Sequence, residues 1–225
     1  MLSKKSELKG KKGVIFDFDF TLANSSKGVI KCVNYALNEL GFKTISDNEI
    51  SKTIGLTLER TFTQLVGKQS FDKTKKFKSL FIKKADKVMA DLTVLYSKTP
   101  KVIKILYNNS LKLGIVSTKF RYRMMAILSR ENLLDYFDVI IGGEDVSTLK
   151  PDPSGLLLAT KKLNLLHSEV IYIGDSTIDA EAANRADISF IAVLSGVTTR
   201  KMFSSYRVQE FLSNLYELPK LLRIE

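Results

Sequence analysis

Two aspartates, Asp17 and Asp19, stand at the end of a run of β-forming residues that starts at Val14. Side chains alternate along a strand, so residues two apart point to the same side. Two carboxylates held this close repel each other and usually share a proton or a cation. The pair therefore predicts acid–base or metal chemistry at a strand end, although surface loops also carry the pattern Asp-x-Asp.

Three further polar motifs follow along the chain. Ser117 ends a second apolar run, where its hydroxyl could donate to a phosphate oxygen or simply cap the next helix. Lys150 lies in Lys-Pro-Asp-Pro, so it is either a fixed positive charge on a stiff loop or an exposed loop lysine. Asp175 follows a third apolar run, and Asp179 comes four residues later in the first turn of a helix, where it could also act as a cap.

The charges of these motifs do not balance. Together, Asp17, Asp19, Asp175 and Asp179 would bring four negative charges to one place, and Lys150 offsets one of them. A hard divalent cation with oxygen ligands would complete the balance, and Mg²⁺ suits carboxylates combined with a substrate phosphate oxygen. The motifs therefore predict a Mg²⁺ site that recognises phosphate.

The elements that must position these residues alternate between strand and helix in most of the chain. The predicted strands are short apolar runs at residues 14–17, 113–117, 139–141, 170–173 and 188–194. The predicted helices have apolar residues at helical spacing, at residues 25–40, 47–54, 57–66, 71–89, 99–109, 121–130, 152–163, 177–185 and 208–222. This alternation predicts a parallel α/β sheet, which binds ligands at the carboxyl ends of its strands. We expect no strand between about 24 and 95.

Composition limits the classes of function. The chain has 225 residues, of which 44% are hydrophobic, with one cysteine and one histidine. Cys32 alone excludes an internal disulfide framework, and His167 alone makes a histidine-based triad improbable. No apolar run reaches the roughly 20 residues that cross a bilayer, and the N-terminus lacks the apolar stretch of a secretory signal. We therefore expect a cytoplasmic protein without a membrane partner.

Net charge is +11, and the excess is concentrated in two segments. Residues 68–104 carry a net charge of +8 and residues 1–12 a net charge of +4. Such segments can bind nucleic acid, but aromatic and arginine side chains do not interleave with the lysines here, so we do not expect nucleic acid as a partner. A solvated lysine-rich surface is the favoured interpretation, and attraction of small phosphorylated anions is a corollary.

On these motifs the chain resembles the haloacid dehalogenase superfamily of phosphohydrolases. The matching segments are residues 17–22, Ser117, Lys150 and residues 174–179, in register across about residues 13–196. The helical insert is similar to the small cap of the phosphoglycolate phosphatase-like branch, as is the loop at 54–62. The resemblance implies an α/β fold with a Rossmann-like parallel sheet core, residues 1–23 and 96–225. A small helical-bundle cap domain, residues 24–95, is inserted after the first strand.

The resemblance also implies a Mg²⁺-dependent phosphatase acting on a small phosphorylated metabolite, as a monomer or homodimer. Asp17 would be the nucleophile, Asp19 the general acid and base, and Lys150 would neutralise charge in the transition state. Asp17, the main-chain carbonyl of Asp19, and Asp175 would hold the metal, with Asp179 near or in its shell. The residues expected to bind phosphate or substrate are Thr21, Ser117, Thr118, Lys150 and Arg60.

The sequence is compatible with several alternatives. Phe20 stands where the family commonly has Gly, so either this position has ordinary backbone angles or the turn differs; Asn24 and Thr118 also depart from the pattern. The first substrate candidate is 2-phosphoglycolate, ahead of sugar phosphates, nucleotides and pyrophosphate. A phosphosugar mutase similar to β-phosphoglucomutase and a non-catalytic binding protein are the alternative functions. Lys119 and Arg121 are weaker candidates for substrate contact, with solvated surface residues as the alternative.

Overall fold

A computed structural model describes residue 8 and residues 10–224 of the chain. Within these residues the chain divides into two compact units. The sheet unit comprises the described residues up to Ala23 and from Leu95 onward, and the helical unit comprises Asn24–Val94. Most of the basic segment 1–12, and the expectation about a secretory signal there, lie outside the described residues. Across the described ranges, no helix combines the length and apolar character needed to cross a bilayer.

Strands and helices alternate through the sheet unit, whereas helices dominate the helical unit. The strands are β1 (Gly13–Phe16), β2 (Ala23–Asn24), β3 (Val94–Leu95), β4 (Lys112–Val116), β5 (Val139–Ile141), β6 (Val170–Gly174), β7 (Ser189–Val193) and β8 (Glu210–Leu212). The helices are α1 (Ser26–Glu39), α2 (Asp47–Ser51), α3 (Leu58–Val66), α4 (Thr74–Leu92), α5 (Thr99–Asn108), α6 (Arg121–Arg130), α7 (Ser154–Lys162), α8 (Thr177–Arg185) and α9 (Leu218–Leu222). Short 3-10 turns occupy Lys68–Lys73, Leu134–Tyr136, Gly143–Asp145, His167–Glu169, Arg200–Phe203 and Leu215–Glu217.

The sheet unit is built on a parallel sheet whose order, across the described residues, is β5-β4-β1-β6-β7-β8. Strand β1 lies between β4 and β6, with Ile15 opposite Gly114 on one side and Tyr172 on the other. All of β1 is buried. Its continuous apolar sequence follows from this position, because a central parallel strand is covered on both faces. The carboxyl ends of β4, β1 and β6 therefore meet at one edge of the sheet.

Aromatic side chains form part of the core of the sheet unit. The rings of Tyr172 and Phe190 lie 6.0 Å apart, those of Phe190 and Phe203 lie 6.2 Å apart, and Phe211 meets Phe203 edge-on at 5.7 Å. Such pairs each contribute about 0.5–1.5 kcal/mol beyond the burial of their area. These contacts pack β6 and β7 against Phe203 and against Phe211 of β8, and so stabilise the part of the sheet that carries the strand ends.

The helical unit has a separate core. Phe62 packs against Phe42 at 5.8 Å and against Phe77 at 4.8 Å, between ring centroids. Helices α1 and α4 approach closely at Gly28, where an added Cβ would lie 2.7 Å from the sulfur of Met89. A contiguous core of this kind explains why residues 24–94 form a compact unit of their own.

The structure confirms the predicted α/β fold class, with a parallel sheet core and a helical bundle inserted after the first strand. One expectation was wrong. Residues 208–222 are not one helix, because Phe211 and Leu212 enter β8 beside β7 and the chain turns at Asn214 before α9. At the borders of the stretch between about 24 and 95, β2 and β3 pair as a short two-stranded sheet, and the described residues between them form no strand, as expected.

Candidate active site

The predicted site residues of the sheet unit gather at the carboxyl ends of β4, β1 and β6. Asp17 directly follows β1, and its backbone N–H donates to the carbonyl of Ile173 at 2.8 Å. Ser117 directly follows β4 and is fixed in the same way by the carbonyl of Ile141 at 3.1 Å. Asp175 directly follows β6. Backbone hydrogen bonds to neighbouring strands hold Asp17 and Ser117, so the backbone atoms that carry these two side chains have fixed positions at the sheet edge.

Lys150 lies within this cluster and is buried. Its ammonium donates to Asp17 Oδ1 at 2.8 Å, to Asp179 Oδ1 at 2.5 Å and to the hydroxyl of Tyr172 at 2.9 Å. Three acceptors match the three N–H donors of a lysine. The alternative of an exposed loop lysine is therefore wrong. The positive charge is fixed beside the carboxylate of Asp17.

Asp179 connects Lys150 to helix α8. Its Oδ2 accepts from the backbone N–H and the hydroxyl of Ser176, at 3.1 and 2.5 Å, and the Ser176 hydroxyl accepts in turn from the N–H of Asp179. Its Oδ1 accepts from Lys150 and from Tyr172, the latter at 2.8 Å. Asp179 therefore both caps α8 and orients Lys150. Gly174 permits this approach, since an added Cβ would lie 2.6 Å from the side chain of Asp179.

A second buried lysine pairs with Asp19. The ammonium of Lys119 lies 3.1 Å from Asp19 Oδ1, and the two side chains are 4% and 8% exposed. The interpretation of Lys119 as a solvated surface residue is therefore wrong. Two lysines now face the four aspartates of the cluster, so two negative charges remain among these six residues when all four carboxylates are ionised. A single divalent cation would balance them.

The electrostatics of the cluster also fit a cation. Burial raises the pKa of Asp17 to about 6, against the opposing effect of Lys150, and the charges of Asp179 and Asp19 add to the rise. Burial, followed by the charges of Asp179 and Asp17, raises the pKa of Asp175 well above its ordinary range. Burial lowers the pKa of Lys150, but the negative charges of Asp17 and Asp179 outweigh burial, so the pKa of Lys150 is raised. Carboxylate oxygens of Asp17, Asp175 and Asp179 lie within 4.8 Å of one another. This oxygen set suits a hard divalent ion.

The loop after β7 also reaches the site. An added Cβ at Gly196 would collide with Oδ2 of Asp175, so a side chain here is incompatible with the position of that carboxylate. On its other oxygen, Asp175 accepts a 3.4 Å hydrogen bond from the hydroxyl of Thr21. The hydroxyl of Tyr96 donates to the carbonyl of Ser195 at 3.3 Å, and burial together with Asp175 and Asp19 raises the pKa of Tyr96 to about 12. The 195–196 loop therefore lies against Asp175, and Tyr96 is hydrogen-bonded to that loop.

Phe20 adopts the left-handed backbone conformation, with φ of 61°. The alternative of ordinary backbone angles at this position is therefore wrong, and this residue accepts a cost of about 1–2 kcal/mol. Three interactions hold the turn: the N–H of Phe20 donates to the carbonyl of Ala23 at 2.7 Å, the Ser195 hydroxyl donates to the carbonyl of Phe20, and the ring is buried. These hydrogen bonds and the packing of the ring therefore stabilise a backbone conformation that glycine would adopt without cost.

Thr118, Arg60 and Arg121 are the remaining candidates for substrate contact. Thr118 is half-buried beside Ser117. Arg60 is exposed in the first turn of α3, where its N–H donates to the hydroxyl of Thr57, and it belongs to the helical unit. Arg121 directs its guanidinium to Asp145 at 3.3 Å on the surface. The roles in substrate binding of Thr118, Arg60 and Arg121 stay predictions.

Two tyrosines in the site were not found from the sequence. Tyr172 lies in the fully buried strand β6, and its hydroxyl bridges Lys150, Asp179 and the carbonyl of Val116, at 3.1 Å from the last. A tyrosine within a buried strand needs a partner for its hydroxyl, so its place three residues before Asp175 was a usable signal. Tyr96 follows β3 and offered no comparable pattern.

Comparison with known proteins agrees with this geometry. Residues 14–193 match the family of haloacid dehalogenase-like hydrolases. The pyrophosphatase PpaX of Listeria welshimeri is 30% identical over 213 residues, which cover 94% of this chain and 96% of that protein. The phosphoglycolate phosphatase of Salmonella typhimurium is 28% identical over 211 residues, 84% of each chain. A protein of Bacteroides fragilis described as a haloacid dehalogenase-like hydrolase has a structure with a TM-score of 0.89 and 42% identity, over 92% of this chain and 99% of that one.

The chain therefore belongs to the haloacid dehalogenase-like hydrolases. The predicted family is confirmed, and so is the predicted enzyme class, a phosphatase. Hydrolases of this family generally use a divalent metal, and the buried acidic cluster supplies oxygen ligands for one.

Proposed function

We propose that this chain is a Mg²⁺-dependent phosphatase that hydrolyses small organic phosphate monoesters through an aspartyl-phosphate on Asp17. The observation that carries the proposal is the arrangement of two aspartates, each paired with its own buried lysine. Lys150 lies 2.8 Å from Asp17, and Lys119 lies 3.1 Å from Asp19. The two carboxylates are thus held separately at one strand edge, as two different roles require.

In the first step, a carboxylate oxygen of Asp17 attacks phosphorus and forms the new P–O bond, while the bond from phosphorus to the leaving oxygen breaks. Protonated Asp19 gives its proton to that oxygen, and the alcohol departs. Lys150 neutralises negative charge on the transferring phosphoryl group, with the hydroxyl of Ser117 as a further donor. The product of this step is the aspartyl-phosphate and an ionised Asp19.

In the second step, Asp19 takes a proton from water, and the oxygen of that water attacks phosphorus. The P–O bond to Asp17 breaks, phosphate leaves, and Asp17 is again a carboxylate while Asp19 is again protonated. Asp17, Asp175 and the carbonyl of Asp19 would hold the Mg²⁺, which when bound supplies positive charge at the phosphoryl oxygens. Asp179 lies near these ligands and serves chiefly to orient Lys150.

The substrate is proposed from the relatives and from charge. One relative is named a phosphoglycolate phosphatase and another a pyrophosphatase, so 2-phosphoglycolate and pyrophosphate are the first compounds to test. The net charge of +11 favours anionic compounds by long-range attraction. We further propose that residues 24–94 act as a cap that selects the leaving group, with Arg60 in contact with substrate, and that the enzyme works in the cytoplasm.

The test is phosphate release from a panel of 2-phosphoglycolate, pyrophosphate, sugar phosphates and nucleotides, with Mg²⁺ and with chelator. The variant Asp17→Asn removes the nucleophile with little change of shape, and Asp135→Asn, an exposed residue of the turn Leu134–Tyr136, is the matched control. We expect Mg²⁺-dependent release by the wild type and by the control, and none by Asp17→Asn.

Two results would contradict the proposal. Release by Asp17→Asn equal to that of the wild type would remove Asp17 from its role. No release from any compound would favour the mutase, tested next with a phosphosugar and a bisphosphate activator, or a non-catalytic binding protein.

A further inference from the structure

Lys119 is built into the strand edge more firmly than a surface lysine. It lies two residues beyond Ser117, and its own N–H donates to the Ser117 hydroxyl at 3.4 Å. Its carbonyl accepts from the N–H of Gly143 at 3.1 Å. An added Cβ at Gly143 would lie 2.6 Å from the carbonyl oxygen of Thr118, so the loop after β5 presses directly on this segment. The backbone that carries Lys119 is therefore fixed from two sides.

The next helix adds a third restraint. The N–H of Arg121, the first residue of α6, donates to both carboxylate oxygens of Glu144, at 2.8 and 2.9 Å. The N–H of Gly142 donates to Asp145 at 2.8 Å. The Gly-Gly-Glu-Asp segment that follows β5 thus holds the start of α6, and with it the direction in which Lys119 leaves the chain.

The ammonium of Lys119 has a defined place in the charge pattern of the site. Lys150 already contacts Asp17, Asp179 and Tyr172, so its three donors are used around the proposed nucleophile. Lys119 instead lies against Asp19, the proposed acid and base, and both side chains are almost fully buried. Burying an ionised carboxylate costs free energy unless it is paired with a positive charge. Because the backbones that carry Lys119 and Asp19 are both fixed, their ion pair restricts the orientation of the Asp19 carboxylate.

We propose that Lys119 is a positioning residue for Asp19, which holds the carboxylate in the orientation from which it exchanges a proton with the leaving oxygen and with water. This inference rests on the proposed phosphatase function. Proton transfer needs a heavy-atom separation of about 2.6–3.2 Å, so a carboxylate that turns away is ineffective.

The experiment compares three substrates that differ in the leaving group. An alkyl phosphate without further charge and 2-phosphoglycolate both leave as poor alkoxides and need the proton of Asp19, whereas p-nitrophenyl phosphate leaves as a stable phenolate and does not. The enzymes are the wild type, Lys119→Met, Lys119→Arg, Asp19→Asn and the double variant Lys119→Met/Asp19→Asn. Lys161→Met is the control, since Lys161 is exposed in the last turn of α7.

We expect Lys119→Met to lower kcat/KM for both alkyl substrates by roughly 100-fold, within the range of general acid catalysis. The loss should fall on kcat more than on KM, and Lys119→Arg should recover part of it. For p-nitrophenyl phosphate, kcat/KM should be nearly unchanged, because it reports only the formation of the aspartyl-phosphate, whereas kcat can fall through the slower attack of water. The double variant should equal Asp19→Asn alone, because a residue that acts through another adds nothing once that residue is gone.

Other results would overturn the inference. Equal losses of kcat/KM on all three substrates would indicate a structural role alone. A rise in KM confined to 2-phosphoglycolate would indicate that Lys119 binds the substrate carboxylate, and multiplicative losses in the double variant would indicate an action independent of Asp19. A Lys119→Met enzyme as active as the wild type overturns the inference while the phosphatase stands; a wild type inactive on every substrate overturns both.

Discussion

Without metal, the protein should lose stability as the pH rises, and Asp17→Asn should remove the part of this loss that comes from Asp17. Burial raises the pKa of Asp17 from 3.8 to about 6 in the folded protein. A carboxyl group with a raised pKa holds its proton longer when folded than when unfolded. Its contribution to stability is therefore complete below the unfolded pKa and is lost as the pH rises through about 6.

The size of the effect follows from the shift. A rise of about two units in pKa corresponds to about 3 kcal/mol of differential stability. About 2 kcal/mol of this falls between pH 4.5 and 7.5, because the unfolded carboxyl is already mostly ionised at the lower pH. For a protein of this size, a change of that magnitude moves Tm by about 4–8 °C.

The assay is thermal unfolding of the wild type and Asp17→Asn at pH 4.5 and 7.5, in chelator. The drop in Tm between the two values should be larger for the wild type by the amount above. At pH 7.5, Mg²⁺ at a hundred times its Kd should restore about 2.7 kcal/mol to the wild type and less to the variant. Parallel pH dependences for the two proteins, or a Tm of the wild type that ignores millimolar Mg²⁺, would refute the reasoning.

Three further predictions concern the residues around the cluster. Phe20→Gly should be more stable than Phe20→Ala by about 1 kcal/mol, because φ of 61° favours glycine; denaturant titration giving the reverse order would contradict this. Tyr172→Phe should cost about 1–3 kcal/mol in denaturant unfolding and lower kcat, because Asp179 loses a buried donor; an unchanged kcat would show that Lys150 holds its place unaided. Gly196→Ala should lower the affinity for Mg²⁺ roughly 10–100-fold, measured by calorimetry, since the added Cβ would collide with Asp175. An unchanged affinity would show that the 195–196 loop moves to accommodate the Cβ.

The sheet could be predicted because its central strands have an unmistakable pattern. Residues 14–16 and 170–173 are continuous apolar runs, and the strands they form are buried throughout. The prediction of a helix over residues 208–222 failed because the apolar positions there fit both the helical period of 3.6 residues and the strand period of two. The choice of strand there depends on pairing with β7, a tertiary contact that the local sequence does not encode.

The site could be predicted in outline because strand ends bring distant residues together. Asp17, Ser117 and Asp175 each directly follow a strand, and adjacency of β4, β1 and β6 places them at one edge. The burial of Lys119 could not be predicted, since it depends on the loop after β5 and on Asp19 across the strand edge. The positive φ of Phe20 was likewise hidden, because its support comes from Ser195, distant in sequence.

The environment of Lys150 has a consequence for chemical modification of this lysine-rich protein. Acylating reagents attack amines that have lost their proton, yet the carboxylates of Asp17 and Asp179 raise the pKa of Lys150 and burial shields it. Exposed lysines such as Lys75, Lys83 and Lys87 on α4 would react long before it. Heavy acetylation or surface labelling should therefore leave the amine beside Asp17 intact.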